Sequence, residues 1–334
     1  MELVSLQDWM SCLPEPLLQV PLWDLAIPGS HDSMSFCLDL SSPMLRSEPL
    51  MLRLLDRLLP CCMRPCIQRW STTQSSVLSV QCELGVRFLD LRIAKKPARG
   101  ATLFFAHGVY TLITVKEALA ELSAWLEEHP REVLVLCCSH FESLTDRDHR
   151  DLVQFIIGLF GAKLCPPQDC PTLSSCWLKG QQLIVSYDYK EVVKQHPQLW
   201  TSIPYWYANS PDPKKVIQYL DNQLSKGRPE KFFVSGLNLT EDLTFILLHP
   251  LLNLRTLTLK GLPPLLQWTN QQRPGPHRAA VNIVCSDFIG LSHFCSIMIG
   301  LNFKSLGSTL AAPRTSVQPV VAVGPKGRSQ HSLL

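Results

Sequence analysis

Strand-like apolar runs alternate with helix-like amphipathic segments about eight times along the chain, beginning at Leu22. The runs are short and almost continuously apolar, as in residues 132–138 and 182–187, which is typical of parallel strands covered by helices. Helix start signals lie between them: 114–117 reads as a capping box, and Asp212-Pro213 as an N-cap followed by a first-turn proline. The pattern predicts an α/β fold built on a parallel sheet.

The first of these runs, residues 22–27, leads directly into Pro28-Gly29-Ser30-His31-Asp32-Ser33. We interpret it as a buried strand that ends in a Pro-Gly turn and delivers a histidine and an aspartate.

Other polar side chains also follow or end the predicted strands, and none precedes one. They are Asp90, Arg92, His107, Ser139, His140 and Asp287. A closed (β/α)8 barrel builds its site at the carboxyl ends of early and late strands alike. An open doubly wound sheet, the alternative, would gather these residues at one switch point. The positions therefore favour a barrel.

Three regions are predicted along the chain. Residues 1–20 form a lead-in, residues 21–306 the barrel, and residues 307–334, which lack acidic side chains, a disordered tail. The leucine-rich stretch 37–70 is broken by prolines and is predicted to be a lid-like excursion with short helices. Its apolar residues could face a membrane, but a packed flap over the barrel mouth is the favoured interpretation.

Composition narrows the classes of partner. The chain has 334 residues, 46% hydrophobic and 18% charged, with a formal net charge of +3 and no Lys/Arg cluster. A nucleic-acid partner is therefore not expected. No transmembrane segment is expected either, because the best apolar run, residues 288–303, is short and carries His293 and Asn302.

The 13 cysteines lie largely in apolar segments, and the N-terminus lacks the features of a signal peptide. Free thiols in a reducing cytosol are the favoured interpretation. Two groups of cysteines could instead hold zinc, although neither has paired Cys-x-x-Cys spacing. They are Cys61, Cys62 and Cys66, and Cys165, Cys170 and Cys176.

The strand-end residues suggest phosphodiester chemistry. Cleavage next to a free hydroxyl needs a base, a cation for the phosphoryl oxygens, and an acid for the leaving oxygen. His31, Arg92 and His107 supply these three types of side chain. Three carboxylates are placed to orient the imidazoles, as in any His–Asp pair. They are Asp32, Asp90 and Asp287.

Each of these residues also has a purely structural interpretation. A strand-end histidine such as His31 is often structural, and Asp90 and Arg92, two apart on one strand, could form a buried ion pair. Asp287 could cap a helix that begins after it.

Three motifs, at residues 28–33, 87–93 and 106–108, in that order resemble the X domain of phosphatidylinositol-specific phospholipase C. The chain is similar in particular to its small eukaryotic X domain-containing group, whose layout is similar to that of the bacterial enzymes. The resemblance covers about residues 22–301. It implies a distorted TIM barrel that cleaves phosphatidylinositol to diacylglycerol and inositol 1,2-cyclic phosphate.

The same resemblance implies roles for individual residues. His31 resembles the general base that takes the proton of the inositol 2-hydroxyl, and Asp287 the carboxylate that orients it. Arg92 resembles the phosphate-binding arginine. His107 resembles the general acid, with Asp32 and Asp90 assisting on that side.

The chain departs from the large calcium-dependent enzymes of this family. Those enzymes carry a carboxylate ligand where Arg92 stands, and a Glu-Asn-His run where Cys138-Ser139-His140 lies. A guanidinium fills the electrostatic role of a metal, so no metal and no other cofactor is expected. Ser139, His140 and Tyr207 are predicted to contact the substrate. Lysines that read the 4- and 5-phosphates have no counterpart near residues 178–188, so a preference for polyphosphorylated headgroups is not expected.

A cytoplasmic monomer is predicted, and the resemblance implies a role in lipid signalling with peripheral contact to a phosphoinositide-containing membrane. Two alternatives remain open: a metal-dependent glycerophosphodiester phosphodiesterase, which needs clustered acidic ligands, and an inositol-lipid binding module without turnover.

Overall fold

The structure is a computed structural model, and it describes residues 6–97, 99–167, 170–249 and 252–309. The strands are β1 Ile27–Ser30, β2 Phe88–Lys95, β3 Leu103–His107, β4 Val109–Thr114, β5 Leu134–Glu142, β6 Leu183–Tyr187, β7 Tyr205–Trp206, β8 Val234–Gly236 and β9 Ile283–Ser286. The helices are α1 Glu15–Leu18, α2 Leu50–Leu58, α3 Pro60–Ser71, α4 Leu78–Glu83, α5 Val115–Glu128, α6 Asp146–Phe160, α7 Leu173–Lys179, α8 Lys190–Val193, α9 Pro213–Lys226, α10 Leu243–Leu248, α11 Leu254–Gln271 and α12 Phe294–Thr309.

A curled parallel sheet forms the centre of the fold. Its strands lie in the order β6-β5-β2-β1-β9-β8-β7, and each neighbouring pair is parallel. Trp200 makes a parallel bridge to Ser186 of β6, and the chain then continues into β7 beside β8. The two edges of the sheet therefore approach each other through this segment. The prediction of a distorted α/β barrel is confirmed.

The third and fourth strands are not part of that parallel set. β3 and β4 form an antiparallel hairpin, and β3 pairs with the distal part of β2 at Ile93–Lys95. The alternation of apolar runs predicted that His107 follows a parallel barrel strand. This placement is wrong, because His107 lies at the turn of a hairpin. Gly108, at φ +73°, is the single residue between the two strands, and this left-handed conformation is one that glycine adopts without strain.

The first strand also differs from the prediction. Residues 22–24 form a 3-10 turn, and β1 is made of Ile27–Ser30, so Pro28 and Gly29 lie inside the strand and not in a turn after it. Pro28 precedes the first β1–β2 pair, Gly29 with Phe88, so its missing N–H interrupts little of the ladder. A Cβ on Gly29 would lie 2.4 Å from Cys285 Sγ, which explains why only glycine fits between these strands.

Several helix predictions are confirmed by their caps. Thr114 with Glu117 forms the predicted capping box of α5, and Asp212 caps α9. Helix α11 runs over 18 residues and accommodates two internal prolines, Pro263 and Pro264.

The ends of the barrel region differ from the predicted bounds, 21 and 306. Residues 6–20 pack against the sheet, with Trp9 and Met10 buried in the core. Helix α12 continues to Thr309, past the predicted start of the tail at residue 307. The remainder of the predicted tail, 310–334, lies outside the described residues.

The leucine-rich excursion is more regular than predicted, because it consists mainly of α2 and α3. Helix α3 packs inward through Ile67 and Trp70. Helix α2 instead exposes an apolar face, so the packed-flap interpretation fits α3 and is wrong for α2. The exposed residues are Leu50, Met51, Leu54 and Leu58, followed by Leu59.

A buried ion pair closes the end of the barrel opposite the strand ends that carry His31 and Asp287. Arg87 is fully buried, and its Nε and Nη2 donate to Glu132 Oε2 at 2.8 and 2.6 Å. Its guanidinium also lies against the rings of Trp9 and Trp125, at 5.8 and 5.0 Å from their centroids. The pair ties the N-terminal segment to the sheet, because Glu132 also accepts from the backbone N–H of Met10.

We expect Arg87→Met to lower the free energy of unfolding by about 3–5 kcal/mol, because it leaves the Glu132 carboxylate buried without its counter-ion. Denaturant unfolding measures the change. The double variant Arg87→Met/Glu132→Leu should recover part of the loss, since it removes the unpaired charge. Equal losses in the single and double variants would contradict this account.

Candidate active site

A cavity of about 420 Å³ opens among the carboxyl ends of β1, β2 and β9 and the β3–β4 hairpin. Eight of the nine predicted site residues line it: His31, Asp90, Arg92, His107, Ser139, His140, Tyr207 and Asp287. The ninth, Asp32, is buried and lies within 3.7 Å of both His107 and Arg92. The structure therefore brings all nine to one place.

The His31 ring lies between the Asp287 carboxylate and the Arg92 guanidinium. Its Nδ1 lies 2.7 Å from Asp287 Oδ1, and its Nε2 lies 2.7 Å from Arg92 Nη2. Because a guanidinium can only donate, Nε2 must accept, and the ring proton sits on Nδ1 and is donated to Asp287. This tautomer leaves the basic lone pair of His31 on the nitrogen beside Arg92. Asp287 is thus engaged with His31, and its interpretation as a helix cap is wrong.

Opposing influences set the proton affinity of His31. Burial disfavours the charged ring, but the adjacent Asp287 carboxylate outweighs it and raises the pKa of His31, while Arg92 works in the opposite direction. The ring therefore becomes a stronger base than an ordinary histidine.

Arg92 also faces two carboxylates. Its Nε lies 3.4 Å from Asp90 Oδ2, and its Nη1 lies 3.7 Å from Asp32 Oδ2. Burial opposes the charge on Arg92, but these carboxylates keep its pKa above the usual value. Burial likewise opposes ionisation of Asp90, and Arg92 more than compensates and lowers the pKa of that carboxyl. The guanidinium and the Asp90 carboxylate are therefore both charged.

His107 is fixed through one nitrogen only. Its Nδ1 lies 2.7 Å from the carbonyl oxygen of Ser71, the last residue of α3, and 3.2 Å from Asp32 Oδ2. Both neighbours are acceptors, so Nδ1 carries a proton and Nε2 is the nitrogen that can exchange one with a ligand. The His107 side chain is 27% exposed, against 9% for His31. The more exposed of the two imidazoles is therefore the one on the hairpin.

The loop after β1 is strained and is held by residues that the sequence did not reveal. Asp32 has φ +40°, a left-handed conformation that costs energy for a residue with a Cβ. Thr73 Oγ1 donates to the carbonyl oxygens around His31, and Gln74 Nε2 lies 3.0 Å from those of both His31 and Ser286. Gln74 thus links the strand end that bears His31 to the one that bears Asp287. No motif in the sequence marks this pair.

The far wall of the cavity is polar and was also missed in part. Tyr205 donates to Asn238 Oδ1 at 3.1 Å, and Glu241 lies nearby on the wall. Burial raises the pKa of Glu241 to about 7, and the Asp287 carboxylate adds to this rise. Ser139 Oγ and His140 Nδ1 are 2.8 Å apart on the opposite side.

The described part of the chain has neither a cluster of metal ligands nor a membrane-spanning helix. Within the described ranges, no three His, Cys, Asp or Glu side chains are grouped as metal ligands, and none of the cysteines there forms a disulfide. In the same part of the chain, no helix combines the length and the apolarity needed to cross a membrane.

Curated proteins of similar sequence share one family name. The chain is 48% identical over 299 residues to PI-PLC X domain-containing protein 1 of Danio rerio, which covers 89% of this chain and 96% of that protein. It is 45% identical over 301 residues to the Homo sapiens protein of the same name, covering 90% and 93% of the two chains. The chain belongs to the PI-PLC X domain-containing protein family. The family predicted from the three motifs is confirmed. No family model matches the chain.

Solved structures show the PI-PLC X domain fold at low sequence identity. The phosphatidylinositol-specific phospholipase C of Listeria monocytogenes matches with a TM-score of 0.61 and 18% identity, covering 90% of this chain and 99% of that one. A double mutant of the Staphylococcus aureus enzyme matches with a TM-score of 0.62 and 17% identity, covering 89% and 97%. This PI-PLC X domain chain therefore has a phospholipase C-like, TIM-barrel-like fold.

Proposed function

We propose that the protein is a phosphoric diester hydrolase that cleaves phosphatidylinositol to diacylglycerol and inositol 1,2-cyclic phosphate without a metal ion. One observation carries the proposal: two imidazoles, each with a fixed tautomer, lie around a single guanidinium in one cavity. This is the set of groups that an internal phosphoryl transfer requires.

The contact between Arg92 and His31 defines the first step. In the free site, the guanidinium occupies the lone pair of His31 Nε2. A phosphodiester offers Arg92 a charged acceptor, which forms the stronger hydrogen bond. Once Arg92 turns to the phosphate, Nε2 is free to take the proton of the inositol 2-hydroxyl, and Asp287 stabilises the resulting imidazolium.

His107 completes the transfer. The 2-oxygen attacks phosphorus, the bond to the diacylglycerol oxygen breaks, and His107 Nε2–H gives its proton to that oxygen. The carbonyl of Ser71 and the carboxylate of Asp32 hold Nδ1 of the same ring, so Nε2 is the nitrogen left to give the proton. Asp90 positions Asp32 by accepting from its backbone N–H at 3.0 Å.

The charges along the wall favour an unphosphorylated inositol ring. Among the described residues that line the cavity, Arg92 is the only arginine or lysine. Asp188 and Glu241 lie on the same lining, so a 4- or 5-phosphate would meet carboxylates and no matching cation. Phosphatidylinositol is therefore the expected substrate.

The direct test incubates the purified protein with phosphatidylinositol, with and without EDTA, and follows the cyclic phosphate by ³¹P NMR. We expect the cyclic product to form at the same rate in both samples. Activity that disappears with EDTA and returns with Ca²⁺ would favour a metal-dependent phosphodiesterase. Binding of the lipid without any product would favour a binding module.

The exposed face of α2 supports a substrate that lies in a membrane. Leu54 and Leu58 are 46% and 75% exposed, and Trp70, next to the last residue of the adjoining α3, lies on the wall of the cavity. Exposed apolar patches of this kind mark contacts with membranes or partners. Arg57 is exposed on the same helix and suits an anionic lipid surface. We propose that α2 contacts the bilayer beside the cavity.

We expect Leu54→Glu/Leu58→Glu to weaken binding to phosphatidylinositol vesicles by at least about tenfold, since a buried leucine contributes about 1.5–3 kcal/mol. Vesicle sedimentation measures the binding. Cleavage of a monomeric short-chain substrate should be unchanged. Leu178→Glu, at a position that is 88% exposed on α7 and away from the cavity, is the matched control. Equal effects from both variants would contradict a specific membrane face.

A further inference from the structure

Two neighbouring cysteines lie at the start of α3, beside the apolar face of α2. Cys61 and Cys62 are both exposed, and their sulfur atoms are 3.9 Å apart. Only Pro60 separates them from Leu58 and Leu59, which are 75% and 52% exposed. The two thiols thus extend the apolar surface that α2 presents.

Cys66, one turn further along α3, has a different environment. It packs against the cluster that contains Trp70, Leu254 and Phe288, and it is only partly exposed. Its thiol therefore belongs to the packing of α3 on the barrel. Only the first two cysteines of the helix are available to a modifying enzyme.

The setting of the pair does not suit redox or metal chemistry. The thiol of Cys61 hydrogen-bonds to that of Cys62 and raises its pKa, whereas redox-sensing and metal-binding thiols have a lowered pKa. A disulfide between neighbours is also disfavoured, because consecutive Cα atoms lie about 3.8 Å apart and disulfides prefer about 4.4–6.8 Å. A modification in which an enzyme removes the thiol proton fits these exposed thiols in an apolar setting better.

We propose that Cys61 and Cys62 are a site of S-acylation by long-chain fatty acids. A protein S-acyltransferase would transfer the acyl group from a long-chain acyl-CoA. The thioester bond to coenzyme A breaks, a thioester bond to the cysteine sulfur forms, and the thiol proton passes to the released coenzyme A. No oxidant or reductant is needed. The inference rests on the proposed function only in that both place α2 against a membrane.

The two positions together account for a stable anchor. One acyl chain gives only marginal, reversible membrane binding, whereas two chains, or one chain with basic residues, hold a protein firmly. Arg57 and Arg69 are exposed on α2 and α3 and can contact anionic headgroups. Trp70 lies nine positions after Cys61 on the helix, about 14 Å at 1.5 Å per residue, so the acyl chains would enter the bilayer close to the cavity.

The test expresses the full chain in cultured animal cells fed an alkyne-tagged palmitate, then measures the label on the purified protein before and after hydroxylamine. We expect a label that hydroxylamine removes, at least a fivefold loss of it in Cys61→Ser/Cys62→Ser, and a shift of that variant from the membrane to the supernatant fraction. Cys12→Ser/Cys170→Ser, which changes two exposed cysteines elsewhere, should keep the label. An unlabelled wild-type protein, or full labelling of Cys61→Ser/Cys62→Ser, would overturn the proposal.

A second measurement separates this inference from the proposed catalysis. Purified Cys61→Ser/Cys62→Ser should cleave phosphatidylinositol in detergent micelles at the wild-type rate, because neither cysteine lines the cavity. Label on the wild-type protein without any cleavage would leave acylation intact and refute the enzyme. Cleavage by an unlabelled wild-type protein would support the enzyme and refute acylation.

Discussion

Replacing His31 with alanine is expected to lower kcat for phosphatidylinositol cleavage by about 10²–10⁴-fold. The reason is the fixed tautomer: Asp287 holds the Nδ1 proton, and only Nε2 can take the proton of the attacking hydroxyl. Without the ring, the hydroxyl must lose its proton to water. The measurement is kcat at saturating substrate in detergent micelles, with circular dichroism to show that the variant folds.

A comparison with His107→Ala separates the two proton transfers. With an inositol aryl phosphodiester, whose leaving group needs no acid, His107→Ala should regain most of its rate and His31→Ala should regain none. His293→Ala is the matched control, since this histidine is exposed and does not line the cavity. If the two cavity variants respond alike to the leaving group, the assignment of base and acid is wrong.

The residues of this site could be found from sequence for a physical reason. Parallel strands deliver the residues at their carboxyl ends to one face, so the alternation of apolar runs was enough to group His31, Arg92 and Asp287. Helix caps at Thr114 and Asp212 are local interactions, and they too could be read from short motifs.

Features that depend on distant packing could not be read in this way. The middle of β3 is as buried as a parallel strand, so its apolar run carries no sign of its direction. Gln74 is an ordinary polar residue until the fold brings it between His31 and Ser286. Helix α3 contains Pro65, which locally opposes a helix, and packing of Trp70 against the barrel prevails over that preference.

The second large effect is expected at Arg92. Arg92→Ala should lower kcat/KM by about 10²–10³-fold, the usual loss on removing one preorganised donor to a developing anion, which corresponds to about 2.7–4 kcal/mol. Arg92→Lys should recover little of it, because an ammonium restores the charge without the planar pair of donors. A lysine variant with near-normal kcat/KM would show that Arg92 acts only as a bulk charge.

The pH dependence of kcat/KM gives a second test of Arg92, because the direction in which the profile moves is also predicted. Arg92 lowers the pKa of His31 and Asp287 raises it, and His31 serves as a base only when neutral. Removing Arg92 therefore moves the acid limb of the kcat/KM profile to higher pH, whereas Asp287→Asn moves it to lower pH. Because Asp90 and Glu241 also act on this cavity, and Glu241 titrates near 7, each profile is measured in a Glu241→Gln background with Asp90 intact. Limbs that move in the same direction, or do not move, would mean that the titrating base is not His31. Opposite shifts would show that Arg92 and Asp287 both act on the pKa of the catalytic base, His31. A lipid-binding module without catalysis has no such profile.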